Sequence, residues 1–182
     1  MKQKSTIVVQ EEDMTTSEKG IRTSSPDSMR MIQSFFENHP EAVLATIGED
    51  GLPHTAVIYI TVNGKFETIF VAKKDTVKYK NLLHNQNVSL TCFDGFSRAT
   101  VTISGKAKQI GDKQEQERWI KALEDTTARG DRTHTPPYIS INLDDFAVYK
   151  IYPETIHMVT YLRLNSGMYD FHESIEFVAK GH

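Results

Sequence analysis

Lys73, Lys74 and Lys78 stand within six residues of one another, interleaved with Asp75 and Thr76, where the sequence passes from a strand pattern into a helical one. Ammonium groups, a hydroxyl and the free backbone N–H groups of a helix start together make one kind of site, a place to hold an anion, and above all a phosphate. Lys78 is the strongest single candidate, with Thr76 and Lys74 beside it and Lys80 two residues on. Lysines in such a run more often form a solvated helix face, so the phosphate reading rests on the helix start and the hydroxyl as much as on charge. The formal net charge of the chain is -3, with 25% charged residues. The cluster therefore stands on a neutral background, and neither a nucleic-acid surface nor a membrane-binding face is expected.

The remaining chemistry-bearing residues point away from side-chain catalysis. The seven histidines, at 39, 54, 84, 134, 157, 172 and 182, include no pair at zinc-motif spacing, so no metal site is expected. Cys92 lies in an apolar run and reads as an inert, buried small hydrophobe. Asp144 and Asp145 are adjacent, so in an extended chain they point to opposite faces and form no catalytic pair. Arg129-Gly130-Asp131 is a common loop tripeptide and carries no adhesion function in this reading. His54 either flanks a turn at the surface or faces a cleft at a subunit interface. No side chain is expected to act as nucleophile or general base.

The elements that must position the lysines follow from turn residues and periodicity. Asp50-Gly51 and Asn63-Gly64 supply the positive φ angles of tight antiparallel reversals. They separate three strands, 43–47, 54–62 and 65–72. The second is apolar at nearly every position and reads as the central strand, buried on both faces or lying against a ligand. A helix over 76–86 turns Val77, Leu82 and Leu83 inward. A fourth strand spans 88–93 and a long fifth 98–110, with Gly105 at a bulge. Ahead of these, Ser25-Pro26-Asp27 starts a helix that buries Met29, Ile32, Phe35 and Phe36 and ends at His39-Pro40. Asp112 caps another to about Glu124, with Trp119, Ile120 and Leu123 inward. A loop over 126–137, two strands at 146–152 and 156–164 around Pro153, and a weak strand near 175–178 complete the pattern.

Short antiparallel strands with helices at the periphery predict a mainly β fold, a closed or partly closed antiparallel barrel, with a sandwich left open by strand count alone. At 182 residues one domain is expected, over 25–182. Residues 1–24, rich in Lys, Glu, Ser and Thr, read as a tail too polar to order itself. One cysteine allows no internal disulfide, and no apolar run approaches the roughly 20 residues of a membrane span. Ile7–Val9 is too short for a secretory signal. A cytoplasmic protein is expected.

From Val43 to Ala107 the chain resembles the pyridoxamine 5′-phosphate oxidase-like superfamily of FMN-binding split β-barrels. The resemblance is carried by Gly51-Leu52-Pro53-His54 ahead of strand two, by FVAKKDTVKYKNL at 70–82, by VSLTCF at 88–93 and by SGKA at 104–107. It implies a homodimer with FMN at the subunit interface. Its phosphate triplet falls on Thr76, Val77 and Lys78. Its flavin-edge contacts fall on Val57, Ile58, Tyr59 and Thr61 of strand two and on Val71 and Ala72 at the end of strand three. The true oxidases carry an arginine and a lysine where this chain has Ala56 and Thr61, and a glutamine where it has Thr100. Their substrate-holding C-terminal Trp and Arg have no counterpart in YLRLNSGMYDFHESIEF. The resemblance thus implies the fold and a flavin rather than vitamin B6 oxidation.

The expected function is that of an FMN-dependent oxidoreductase of unnamed small-molecule substrate, with Lys74, Thr76 and Lys78 on the phosphate. A deazaflavin or haem is the alternative cofactor, with His157 or His172 as the axial ligand of a haem. The alternative function is a homodimer that stores or senses flavin or haem without turnover, which the missing strand-two arginine favours.

Overall fold

Two reversals set the sheet, and they work by different means. A computed structural model describes residues 15–16, 21–23, 26–127, 144–163 and 169–179, with side chains over 29–127 and 144–160. At the first reversal Gly51 takes a φ of 75°, its N–H donates to the Gly48 carbonyl at 3.0 Å, and Leu52 N–H donates to Asp50 Oδ1 at 2.9 Å. This joins β3 (Glu41–Ile47) to β4 (Pro53–Tyr59) in the expected way. At the second, Gly64 is not left-handed. The Asn63 side chain accepts from Lys65 and Glu67 N–H, and the positive φ falls on Phe66 at 59°, whose ring is thereby buried.

All the pairings among the described strands are antiparallel. The hydrogen-bonded order is β1-β2-β10-β9-β8-β7-β3-β4, with β6 pairing both β5 and β9. Here β1 is Thr15–Thr16, β2 Ile21–Thr23, β5 Thr61–Val62 and β6 Thr68–Lys73. After them come β7 (Asn87–Asp94), β8 (Ala99–Gln109), β9 (Phe146–Arg163) and β10 (Tyr169–Ala179). Because Ile60 alone separates β4 from β5, the path β5-β6-β9-β8-β7-β3-β4 returns on itself as a barrel split at that residue. Its interior is filled by inward-facing Leu44, Phe70, Leu90, Val101, Ile103, Ile151 and Ile156. Each contributes about 1.5–3 kcal/mol of transfer free energy. Helix α1 (Pro26–Asn38) buries Ile32, Phe35 and Phe36 against this core. Helix α2 (Val77–His84) follows β6, and α3 (Lys113–Thr127) starts where Asp112 Oδ1 accepts Glu115 N–H at 2.7 Å.

Several expectations from the sequence are corrected. The second strand is not central: β4 ends the pairing path, and His54, Thr55 and Val57 are exposed. Its apolar content belongs to an open sheet face rather than to a doubly buried strand. Pro153 does not divide two strands, because β9 runs through it. Pro153 lies opposite Gly105 at the β8 bulge, where a missing N–H costs little. On α2, Leu82 and Asn81 are buried, while Val77 and Leu83 are 56% and 65% exposed. Residues 15–16 and 21–23, within the expected tail, form strands β1 and β2 on β10, and β10 is longer than 175–178. Helix α3 runs to Thr127, so Thr126 belongs to it, and positions 128–137 of the expected loop lie outside the described residues. Ser25, the tripeptide 129–131, His134 and His182 lie outside the described residues.

Candidate cofactor site

The turn between β6 and α2 separates the three lysines by what each side chain already bonds. Lys73 Nζ donates to Asp75 Oδ2 at 2.7 Å, which raises the lysine and lowers the carboxyl. Lys74 Nζ donates to the Asp144 carbonyl at 2.7 Å, and Lys74 N–H to the Asp145 carbonyl at 2.9 Å. Lys74 therefore fastens the turn to the start of β9. Thr76 Oγ1 donates to the Lys73 carbonyl at 2.6 Å. Thr76 is the extended N-cap residue of α2, but its hydroxyl makes no cap bond, so no side chain caps the first turn.

Lys78 projects from that uncapped turn. It is half-buried, and desolvation pushes its ammonium below the usual lysine value, against the opposing charge of Asp75. No ion pair among the described residues includes it. A desolvated cation of this kind gains from an anion that replaces lost water. Lys78 lines a cavity of about 250 Å³ together with Thr46, His54, Thr55, Ala56, Thr76 and Val77. The cavity sits at the barrel mouth, where the β3-β4 hairpin meets the start of α2. Ala56 also lines it, and its short side chain leaves space beside Lys78.

Two buried polar residues that sequence reasoning passed over hold this geometry. Asn81 Nδ2 donates to Thr46 Oγ1 at 3.0 Å, tying α2 to β3. Thr46 Oγ1 lies 3.4 Å from the His54 carbonyl, which links the hairpin to the same pair. A larger cavity of about 640 Å³ adjoins, lined by Glu49, Asp50, Lys80, Leu83 and His84 and sharing His54 and Val77 with the first. His54 Nε2 is 3.7 Å from Asp50 Oδ1, so His54 both flanks the turn and borders the cavities.

The other sequence candidates do not converge there. Ile58 and Ala72 point into the core, at 5% and 0% exposure. Thr61 is buried against Thr126 at 3.0 Å, beside a separate cavity under α1 and α3. Val57, Tyr59 and Thr100 lie on the open face of the sheet. The registers of β4, β3, β7 and β8 put Val57, Val43 and Thr91 on one side, with Phe93 and Thr100 two residues along. Val43, Val57 and Phe93 are 46%, 71% and 63% exposed. Burial and the charge of Glu41 raise the Tyr59 hydroxyl. Burial pushes the Cys92 thiol up to about 12, in line with its reading as inert. His157 pairs with Thr102 across β8 and β9, and its Nε2 is buried. His172 pairs with Thr160 in β10. Among the described residues no group of His, Cys, Asp or Glu could hold a metal ion. No described helix is long and apolar enough to cross a membrane.

The sequence model of the pyridoxamine 5′-phosphate oxidase family matches residues 29–160. No curated protein matches the chain. Among solved structures the chain is similar to an F420 reductase at 20% identity and TM-score 0.54, covering 68% of this chain and 94% of that one. It is similar to a haem-binding protein from Mycobacterium smegmatis at 16% identity and TM-score 0.63, covering 83% of this chain and 59% of that one. It is also similar to a protein of unknown function from Agrobacterium tumefaciens at 19% identity and TM-score 0.59, covering 74% and 57%. The chain thus spans less than two thirds of the last two. At these identities the likeness bears on the fold, a mainly β split barrel.

Proposed function

The chain belongs to the pyridoxamine 5′-phosphate oxidase family, and from that premise we propose that it is an FMN-dependent oxidoreductase acting as a homodimer. The observation that carries the reading is Lys78, a desolvated ammonium outside the ion pairs, in a cavity at an uncapped helix start. An FMN phosphate fits these groups. It would take the Lys78 ammonium and the first N–H groups of α2, with the Thr76 hydroxyl turned from the Lys73 carbonyl to donate to a phosphate oxygen. Lys74 is not assigned to the phosphate, because its ammonium is fixed on the Asp144 carbonyl.

The flavin supplies hydride and electron chemistry when bound. What the protein supplies is position and shielding. The mouth residues Ala56 and Thr55 leave room beside the phosphate, and from there a ring can lie along β4 toward the open face bearing Val57 and Tyr59. That face is apolar and hydroxyl-bearing, with Thr91–Thr102 and Ser89–Ser104 hydroxyl pairs at 3.1 and 3.2 Å. It is the surface on which a second copy would cover the ring and exclude water. A cytoplasmic location suits the free, buried Cys92.

The likeness to an F420 reductase and a haem-binding protein supports a deazaflavin or haem as the alternative. With haem, His157, whose buried Nε2 would have to turn toward the iron, would be the ligand to test and storage the function. The deciding experiment is an absorption spectrum of the purified protein, with mass analysis of what denaturation releases. A flavin spectrum and released FMN are expected. A haem band would replace the reading, and a colourless protein that takes up no FMN would overturn it.

A further inference from the structure

The cavity that holds Thr61 has a different chemistry from the one that holds Lys78. It measures about 310 Å³ and lies between α1 and α3 over β5, with Phe36 and Val62 on its apolar side. Its polar lining can be audited hydrogen by hydrogen. Thr126 Oγ1 donates to the Ala122 carbonyl at 2.8 Å, so in its 3.0 Å contact with Thr61 the donor is Thr61. Both hydroxyls then offer lone pairs alone. Trp119 Nε1 donates to Glu115 Oε1 at 3.2 Å, away from the cavity's remaining groups. Gln33 Nε2 is turned to Glu37 at 3.4 Å, and Gln33 Oε1 is buried without a partner. The reverse amide orientation would set an oxygen against the Glu37 carboxylate, so the orientation is fixed by charge.

Glu37 and Asp125 add two carboxylates to this lining, and among the described residues neither is in an ion pair. Two of the cations near the cavity are engaged on its far side. Lys150 and Arg118 lie 5.7 and 5.4 Å from the Trp119 ring centre, and both face Glu115, at 2.7 and 3.9 Å. The cavity thus offers acceptors and negative charge, one unpartnered amide oxygen among them, and almost no donor. A buried acceptor left without a donor costs about 1–3 kcal/mol, so an occupant rich in N–H groups is favoured.

We propose that this cavity binds a small organic cation, a primary alkylammonium ion, as a site separate from the flavin. Its three N–H groups match Gln33 Oε1, Thr61 Oγ1 and a carboxylate of Glu37 or Asp125, and its alkyl chain rests against Phe36, Val62 and Trp119. The proposal does not depend on the flavin reading.

Trp119 is the one tryptophan of the chain, so its fluorescence reports on this cavity directly. The full-length protein is titrated with n-butylammonium chloride, and in parallel with potassium chloride at equal ionic strength and with 1-butanol. A saturable change with butylammonium, absent with potassium and with butanol, is expected. Asp125→Asn and Glu37→Gln, both at exposed positions that tolerate substitution, should each weaken it at least about fivefold, as one charge–charge contact near a surface allows. An equal response to potassium would reduce the site to screening of surface charge, and an equal response to butanol would reduce it to an apolar groove. Either result overturns the proposal, as does undiminished binding in both variants.

Discussion

Replacing Lys78 by alanine tests the phosphate site most directly, because the change removes one ammonium and leaves the α2 backbone in place. A hydrogen bond to a charged partner contributes about 1.5–3 kcal/mol, and each 1.4 kcal/mol is tenfold in affinity. Lys78 is half-buried, so solvent screening puts the expected loss toward the lower end, roughly 10- to 30-fold in FMN affinity. Riboflavin, which lacks the phosphate, supplies the control. Quenching titrations should show FMN weakened by that factor and riboflavin unchanged. The pH dependence follows from the same group. Its folded value is lowered below 10.5 by burial, so the unfolded chain holds this proton to higher pH than the folded one does. The desolvation cost is therefore present below the folded value and is relieved as pH rises toward 10.5. The attraction for phosphate is lost over the same rise, so FMN affinity should fall at a pH below 10.5 in the native protein and not in Lys78→Ala. Equal loss for riboflavin and FMN, or no loss for either, would refute the assignment of Lys78 to the phosphate.

Three further outcomes are expected. A Cβ added at Gly105 would lie 2.1 Å from the Tyr152 carbonyl oxygen, so Gly105→Ala should cost about 2–3 kcal/mol in urea unfolding; a loss under about 1 kcal/mol would mean the bulge relaxes freely. With its thiol near 12, Cys92 should have a thiolate fraction of about one in ten thousand at pH 8 and resist alkylation until the protein unfolds, whereas labelling at the rate of a free thiol would contradict its burial. Asp94 is held down to about 2 by Ser97 and by the N–H groups of Ser97 and Phe96; this contribution is complete above 3.8 and is lost as pH falls through about 2, so acid unfolding followed by circular dichroism should have a component in that window that Asp94→Asn lacks.

The barrel was legible because its signals are local. Asp50-Gly51 marks a turn by backbone geometry, Gly105 marks a bulge because a Cβ has no room, and Asp112 caps a helix with its own oxygen. What escaped was set by distant partners. Nothing near Pro153 in the sequence says that Gly105 will sit opposite and let the strand continue. An apolar β4 looks the same whether it is covered on both sides or lies on an open face. The lysine cluster was legible as a cluster, yet which lysine faces the cavity depends on Asp75 taking Lys73 and on the Asp144 carbonyl, 70 residues away, taking Lys74. Thr46 carried a weak signal, a polar residue at an inward position between Leu44 and Gly48, and its partner Asn81 carried none.

These attachments explain why an anion site can stand at so short a helix. Eight residues give α2 little stability of their own, so Lys78 keeps its place through Leu82 in the core, the Asn81–Thr46 bond and the Lys74 fastening to β9. The phosphate end of the proposed flavin site is therefore built within one chain, from rigid elements that need no partner. The ring end is different: Val57 is 71% exposed on the open face, beside Tyr59, whose hydroxyl is bonded to Glu41. In the proposed homodimer the phosphate contacts would set affinity and the second copy would set the ring's surroundings. Substitutions at the α2 turn and on the open face should then separate, the first acting on binding of the phosphate and the second on the redox behaviour of the ring.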